Sequence, residues 1–209
     1  MNPGYIALLC CSIVFILCAS GWKDVLFRGV RHRTILMFFT IGLPSVFINW
    51  DVSGQVKING GFVFLLICTA AVLFRINGRM LFVQTVTASV LLGSVLAFVE
   101  RMSEASPVMI LYIPVWEQVL LLGLINGLFF RDTFLQVAAI TLQVAFAVVI
   151  VQFLQAPNNG WHLGMPGFYD RWCLLFTIAR GASVCWEFGE KFIGNSWLVQ
   201  RMKERGWRK

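Results

Sequence analysis

Two ionisable residues sit deep in apolar runs, Glu117 and Arg180, and Glu187 follows Arg180 by seven residues. Glu117 falls near the middle of the run Pro107–Phe130, and Arg180 slightly outside the middle of Trp172–Gly194. An unpaired charge at mid-bilayer costs about 2.5–3.5 kcal/mol even on the lenient insertion scale, and an opposite charge offsets most of that. Both runs would cross a membrane in the same direction, and at helical rise their depths agree to roughly 3 Å. Glu117 and Arg180 are therefore expected to face each other. Glu187 lies about 10.5 Å further along nearly the same helix face, with its side chain leaning back towards Arg180. Together the three charges would clamp a bundle or line a path for an ion or small solute. Glu187 and Lys191 also form an i,i+4 pair with the acid first, the favourable order. Gln84, Asn126, Gln136, Gln143 and Gln152 add polar groups to three helices, with Gln136 and Gln143 on one face.

Other chemistries lack their residues. Cys10, Cys11, Cys18, Cys68, Cys173 and Cys185 all fall in apolar runs and none forms a CxxC. In such surroundings cysteine behaves as a small hydrophobe. His32 and His162 fall on opposite sides, so no helix face gathers them for a metal. No HExxH, GxSxG or phosphate-loop pattern occurs. Asp24, Asp51, Asp132 and Asp170 all sit at run ends, away from mid-membrane chemistry. No enzyme, metal or cofactor is implied.

The elements that must carry these residues follow from composition. Of 209 residues 58% are apolar and 13% charged, with 19 Phe and 8 Trp. That charged share is about half the usual one, and mean hydropathy is +0.77. A water-soluble domain of this size cannot hide so much apolar surface. The expected fold is all-α: a single integral membrane helical bundle with seven transmembrane helices. The runs are Pro3–Ser20, Thr34–Trp50, Phe62–Ile76, Met80–Val99, Pro107–Phe130, Thr133–Leu154 and Trp172–Gly194, with Pro44 and Pro114 inside two of them. The first reads as an uncleaved helix, because it lacks a basic start and a good cleavage site.

Lys and Arg resist translocation and so set orientation. With the N-terminus outside and the C-terminus inside, the outer loops hold only Lys57, Arg101 and Arg171. Arg180 lies within a span, and the rest of the 17 Lys and Arg are inside. The net charge of +7 is then topogenic. It points to anionic lipid headgroups at the inner loops and at the basic tail 195–209, not to nucleic acid. The longest loop, Gln155–Arg171, is rich in turn formers and aromatics. It reads as a segment folded back on the outer surface.

Small residues let helices approach closely in lipid. Gly123 and Gly127 form a GxxxG, and Ser89, Gly93 and Ala97 a ladder. These faces serve intrachain packing or a homo-oligomer or membrane-protein partner. The opening Met1-Asn-Pro-Gly-Tyr5, an apolar helix, then Gly21-Trp-Lys-Asp-Val-Leu-Phe-Arg-Gly29 resembles the start of YphA-type membrane proteins of spore-forming Gram-positive bacteria. That resemblance implies a bacterial cytoplasmic membrane, an unassigned molecular function and no catalytic residues to carry over. The functional expectation is action through assembly or partner contact. The alternative is a small-solute or ion transporter using Glu117, Arg180 and Glu187.

Overall fold

The computed structural model describes residues 2–27, 29–53, 56–76, 78–105 and 115–194. Of the described residues 81% are helical. Its helices are α1 (Tyr5–Ala19), α2 (Lys23–Leu26), α3 (His32–Ser45), α4 (Gly60–Arg75), α5 (Arg79–Ala105), α6 (Val115–Phe129), α7 (Thr133–Asn159) and α8 (Pro166–Gly194). Among the described residues three short strands accompany them: β1 (Asn49–Ser53), β2 (Val56–Asn59) and β3 (Trp161–Leu163). Each helix except α2 overlaps one of the seven apolar runs. Among the described residues two helical stretches, Arg79–Met102 and Thr133–Gln155, and not the seven expected, are long and apolar enough to cross a membrane. Tyr5–Ala19, Gly60–Arg75 and Glu117–Phe129 are shorter apolar helices.

The strands add a small three-stranded sheet to a fold that is otherwise helical as expected. β1 and β2 pair antiparallel, with Trp50 opposite Ile58, and β3 joins β2 in parallel, with Lys57 opposite His162. Helix α3 ends at Ser45, one residue after Pro44, instead of running to Trp50. Proline removes a backbone donor and crowds the preceding turn, so the chain leaves the helix and enters β1. Gln155–Arg171 is not a surface loop either. α7 continues to Asn159, Gly160 adopts φ +68°, and α8 starts at Pro166. Proline suits the first helical position, where its missing N–H has no intrahelical partner. Only the short β3 link remains between them. It is held by Gln152, which bonds both the N–H (3.2 Å) and the carbonyl (3.3 Å) of His162.

Asn59 fastens this end of the molecule. Its side-chain oxygen caps α4 by accepting from the Gly61 N–H at 2.9 Å. Its amide donates to the Val46 carbonyl at 2.6 Å and to Asn49 Oδ1 at 2.9 Å. The Tyr169 hydroxyl donates to the same Asn59 oxygen. Glycine is required beside it: a Cβ on Gly61 would meet Tyr169 Oη at 2.5 Å, and one on Gly60 the Ser45 carbonyl at 2.6 Å. The start of α1 is tied to the same end, since Gly4 and Ala7 donate to the Asp170 carboxylate at 2.6 and 2.7 Å.

Helix α7 is central, packed on α4, α5, α6 and α8, while α1 packs on α8 and α3 on α4. The core mixes apolar residues such as Ile140, Val144 and Leu175 with fully buried Asn126, Gln136, Gln143 and Ser89. The outer faces are apolar: Phe74 is 91% exposed, Phe47 86% and Met80 86%.

Candidate functional site

The structure does not bring Glu117 and Arg180 together. Glu117 is exposed in the first turn of α6, where a carboxylate suits the helix dipole. Arg180 is 3% exposed. Its Nε donates to the Leu26 carbonyl and its Nη1 to the Arg131 carbonyl at 3.2 Å. The register between α6 and α8 explains the separation. A Cβ on Gly127 would meet the Ala179 carbonyl at 2.6 Å, and one on Gly123 would meet Ile178 Cγ2 at 2.7 Å. Gly127 is thus level with Ala179, and Glu117 lies ten residues, about 15 Å, towards the sheet end. The pairing inferred from run midpoints fails because close approach at glycine sets the register. Pro107 and Pro114 lie outside the described residues, as does the tail 195–209. Glu187 is half-buried on α8.

Arg180 acts as a clasp at the far end. The two carbonyls it binds belong to the last residue of α2 and to the residue before the α7 cap, so one side chain gathers three elements. Carbonyls near helix C-termini are suited to a cation. Nearby, Arg131 meets the Glu190 carboxylate at 2.9 and 3.4 Å and lies 6.0 Å from the Trp186 ring centroid. At the sheet end Arg171 forms a two-pronged contact with Glu100 at 2.5 and 2.7 Å.

The small-residue positions are used inside the chain. Gly123 and Gly127 face α8, and Gly93 faces α7, where a Cβ would meet the Gln143 carbonyl at 2.7 Å. Ser89 and Ala97 are buried on the same helix as Gly93. Behind them the Asn126 amide donates to Gln143 Oε1 at 2.7 Å, and Gln136 Nε2 donates to the Phe130 carbonyl at 2.5 Å. Polar groups in such a core join helices because no water competes for them.

Two cavities occupy the space among α1, α3, α4 and α8. The far-end cavity is about 960 Å³ and reaches Arg31, Arg75 and Asp132. The sheet-end cavity is about 1050 Å³ and reaches Asp51, Lys57 and His162. Both sit at the top of the range for small-molecule sites, about 300–1,000 Å³. They share Cys11, Phe38, Phe39, Trp172 and Cys173 as common lining. Phe38 and Trp172 stack at 6.4 Å, and Trp172 and Phe176 at 5.4 Å. The Trp172 indole is fixed by donating to Thr141 Oγ1 at 2.9 Å. Cys11 and Cys173 line the same layer. This aromatic and thiol layer separates two apolar chambers that extend towards opposite ends of the bundle.

At the sheet end, burial pushes the Tyr169 phenol well above its usual range, and the N–H of Phe62 offsets part of that. The phenol is therefore a donor at neutral pH, as its bond to Asn59 requires.

Sequence reasoning missed this site because its walls are ordinary apolar residues. The available signal was the polar residues at its two mouths, each beside a run end. Among the described residues no group of three or more His, Cys, Asp or Glu gathers to hold a metal. Comparison with protein-family models, curated proteins and solved structures finds no match, so the likeness to YphA-type membrane proteins rests on the N-terminal residues that suggested it.

Proposed function

We propose that the chain crosses the bacterial cytoplasmic membrane seven times, N-terminus outside and C-terminus inside. In this arrangement it binds an apolar or amphipathic molecule drawn from the membrane and passes it between its two chambers. The observation that carries this reading is the pair of cavities meeting at Cys11, Phe38, Phe39, Trp172 and Cys173. Lipid as the surrounding solvent is supported by the inverted surface: Phe, Leu and Met are exposed while Gln and Asn are fully buried. The shorter helices fit with local thinning or tilt of neighbours, which costs fractions of a kcal/mol per Å.

Action through assembly has less support. The small-residue faces that offered a seam at Gly123, Gly127, Ser89, Gly93 and Ala97 are filled by the chain's own helices. A path along Glu117, Arg180 and Glu187 has less support too, because Glu117 is about 15 Å from the level of Arg180.

The test is passage of a fluorescent amphiphile across proteoliposomes holding the full chain. Wild type should speed the loss of signal to an impermeant quencher, and Phe38→Trp with Phe39→Trp should slow it. A rate equal to that of protein-free vesicles would sink the proposal. Orientation is checked with Lys57→Cys and Lys203→Cys, which should react with an impermeant maleimide from opposite sides.

A further inference from the structure

The far-end cavity is built at one end for an anion. Its walls are apolar, with Phe38, Phe39, Trp172 and Phe176 among them. Its mouth holds Arg31 and Arg75, whose guanidinium groups have no ion-pair or hydrogen-bond partner among the described residues. The first turn of α7 forms part of the same wall through Thr133, Phe134 and Leu135. That turn has no side-chain cap. The first intrahelical bond recorded there is from the Gln136 N–H to the Asp132 carbonyl at 3.0 Å. The N-terminus of a 27-residue helix carries a partial positive charge and free N–H groups, a ready site for a phosphate or carboxylate.

A second observation points the same way. Thr133 is 4% exposed, and its buried hydroxyl has no partner. An unsatisfied buried hydroxyl is costly, and a ligand oxygen at the α7 N-terminus would satisfy it. Among the described residues that line this mouth, Asp132 is the one acid. Its side chain is exposed and makes no cap bond, so the two arginines outweigh it.

We infer that the far-end chamber holds a phospholipid of the inner leaflet, with its tails between α1, α3 and α4. Its phosphate sits among Arg31, Arg75 and the first turn of α7. Arginine favours phosphate because its planar fork matches two oxygens at once. The inference rests on the chamber reading above and adds the headgroup chemistry to it.

The test uses the full purified chain in detergent, titrated with short-chain phosphatidic acid and with diacylglycerol of the same chain length. Phosphatidic acid should bind about tenfold more tightly than diacylglycerol. Arg31→Gln with Arg75→Gln should erase that preference and leave diacylglycerol binding intact, which also shows that the variant is folded. Thr133→Val should reduce the preference. Arg33→Gln with Arg79→Gln makes the same charge change outside the cavity lining and should keep the preference. Equal affinity for the two lipids would overturn the headgroup assignment while leaving the chamber reading standing. So would equal losses in both arginine pairs. Inorganic phosphate competing as strongly as phosphatidic acid would replace the lipid with a free anion. Failure of either lipid to bind would overturn both this inference and the function proposed above.

Discussion

Tyr169 and Asn59 are 110 positions apart in sequence, yet the phenol of one donates to the amide oxygen that caps α4 in the other. That single oxygen serves α4, while the amide nitrogen beside it holds the end of α3 and β1. Asn59→Ala should therefore cost about 2–3 kcal/mol by thermal unfolding in detergent. Tyr169→Phe should cost about 1 kcal/mol at neutral pH.

The Tyr169 bond has a pH signature. Its folded pKa is raised, so the unfolded chain loses the proton first, at about pH 10. The stabilisation is fully present below that value and is lost as pH rises towards the folded pKa. The stability gap between wild type and Tyr169→Phe should therefore shrink above about pH 10. A gap constant to pH 11 would contradict the buried phenol.

Arg180 and Glu117 should behave independently. Arg180→Gln should lower stability by about 2–4 kcal/mol, because it frees two carbonyls and loses a buried clasp. Glu117→Gln should be worth under about 0.5 kcal/mol, as for an exposed first-turn acid. In the double variant the two effects should add to within about 0.5 kcal/mol. A strong recovery in the double would restore the mid-membrane pair that the structure separates.

Glycine substitutions should split by location. Gly127→Ala meets the Ala179 carbonyl at 2.6 Å and Ala182 Cβ at 2.9 Å. Overpacking of that kind costs about 1–3 kcal/mol. Gly181→Ala meets nothing within 4 Å and should be neutral or stabilising by up to about 1 kcal/mol. Comparing the two melting temperatures checks the α6–α8 register directly.

Trp172→Ala should join the chambers. It removes the largest ring of the common wall and its bond to Thr141, at a cost of about 3–5 kcal/mol. Amphiphile passage should rise even as stability falls. Slower passage would mean that Trp172 holds the ligand and does not bar its way.

The helices were legible because apolar runs bounded by charges mark where a chain can sit in lipid. Their ends were less so. Pro44 stops α3 early, whereas Pro166 starts α8 within a segment whose turn formers suggested a loop. The strands were hidden because Asn49–Ser53 and Trp161–Leu163 are short, and the register joining β2 to β3 is a long-range choice. Depth along separate runs does not set Glu117 against Arg180, because close approach at Gly123 and Gly127 decides how the helices slide. The buried Arg180 was visible as an oddity, but its carbonyl partners Leu26 and Arg131 carry no sequence mark. The chambers depend on how far α1 and α3 stand apart, which periodicity does not encode.

The parallel pairing of Val56 with Trp161 and of Ile58 with Leu163 also sets an order of assembly. During synthesis the β1–β2 hairpin emerges with the outer edge of β2 uncovered, and the strand that covers it follows only after α7. An open strand edge recruits other chains. The nascent protein thus carries a temporary liability through the making of α4 to α7. A chain cut short in that interval would be prone to pairing with its neighbours along β2, and the arrival of β3 closes that edge.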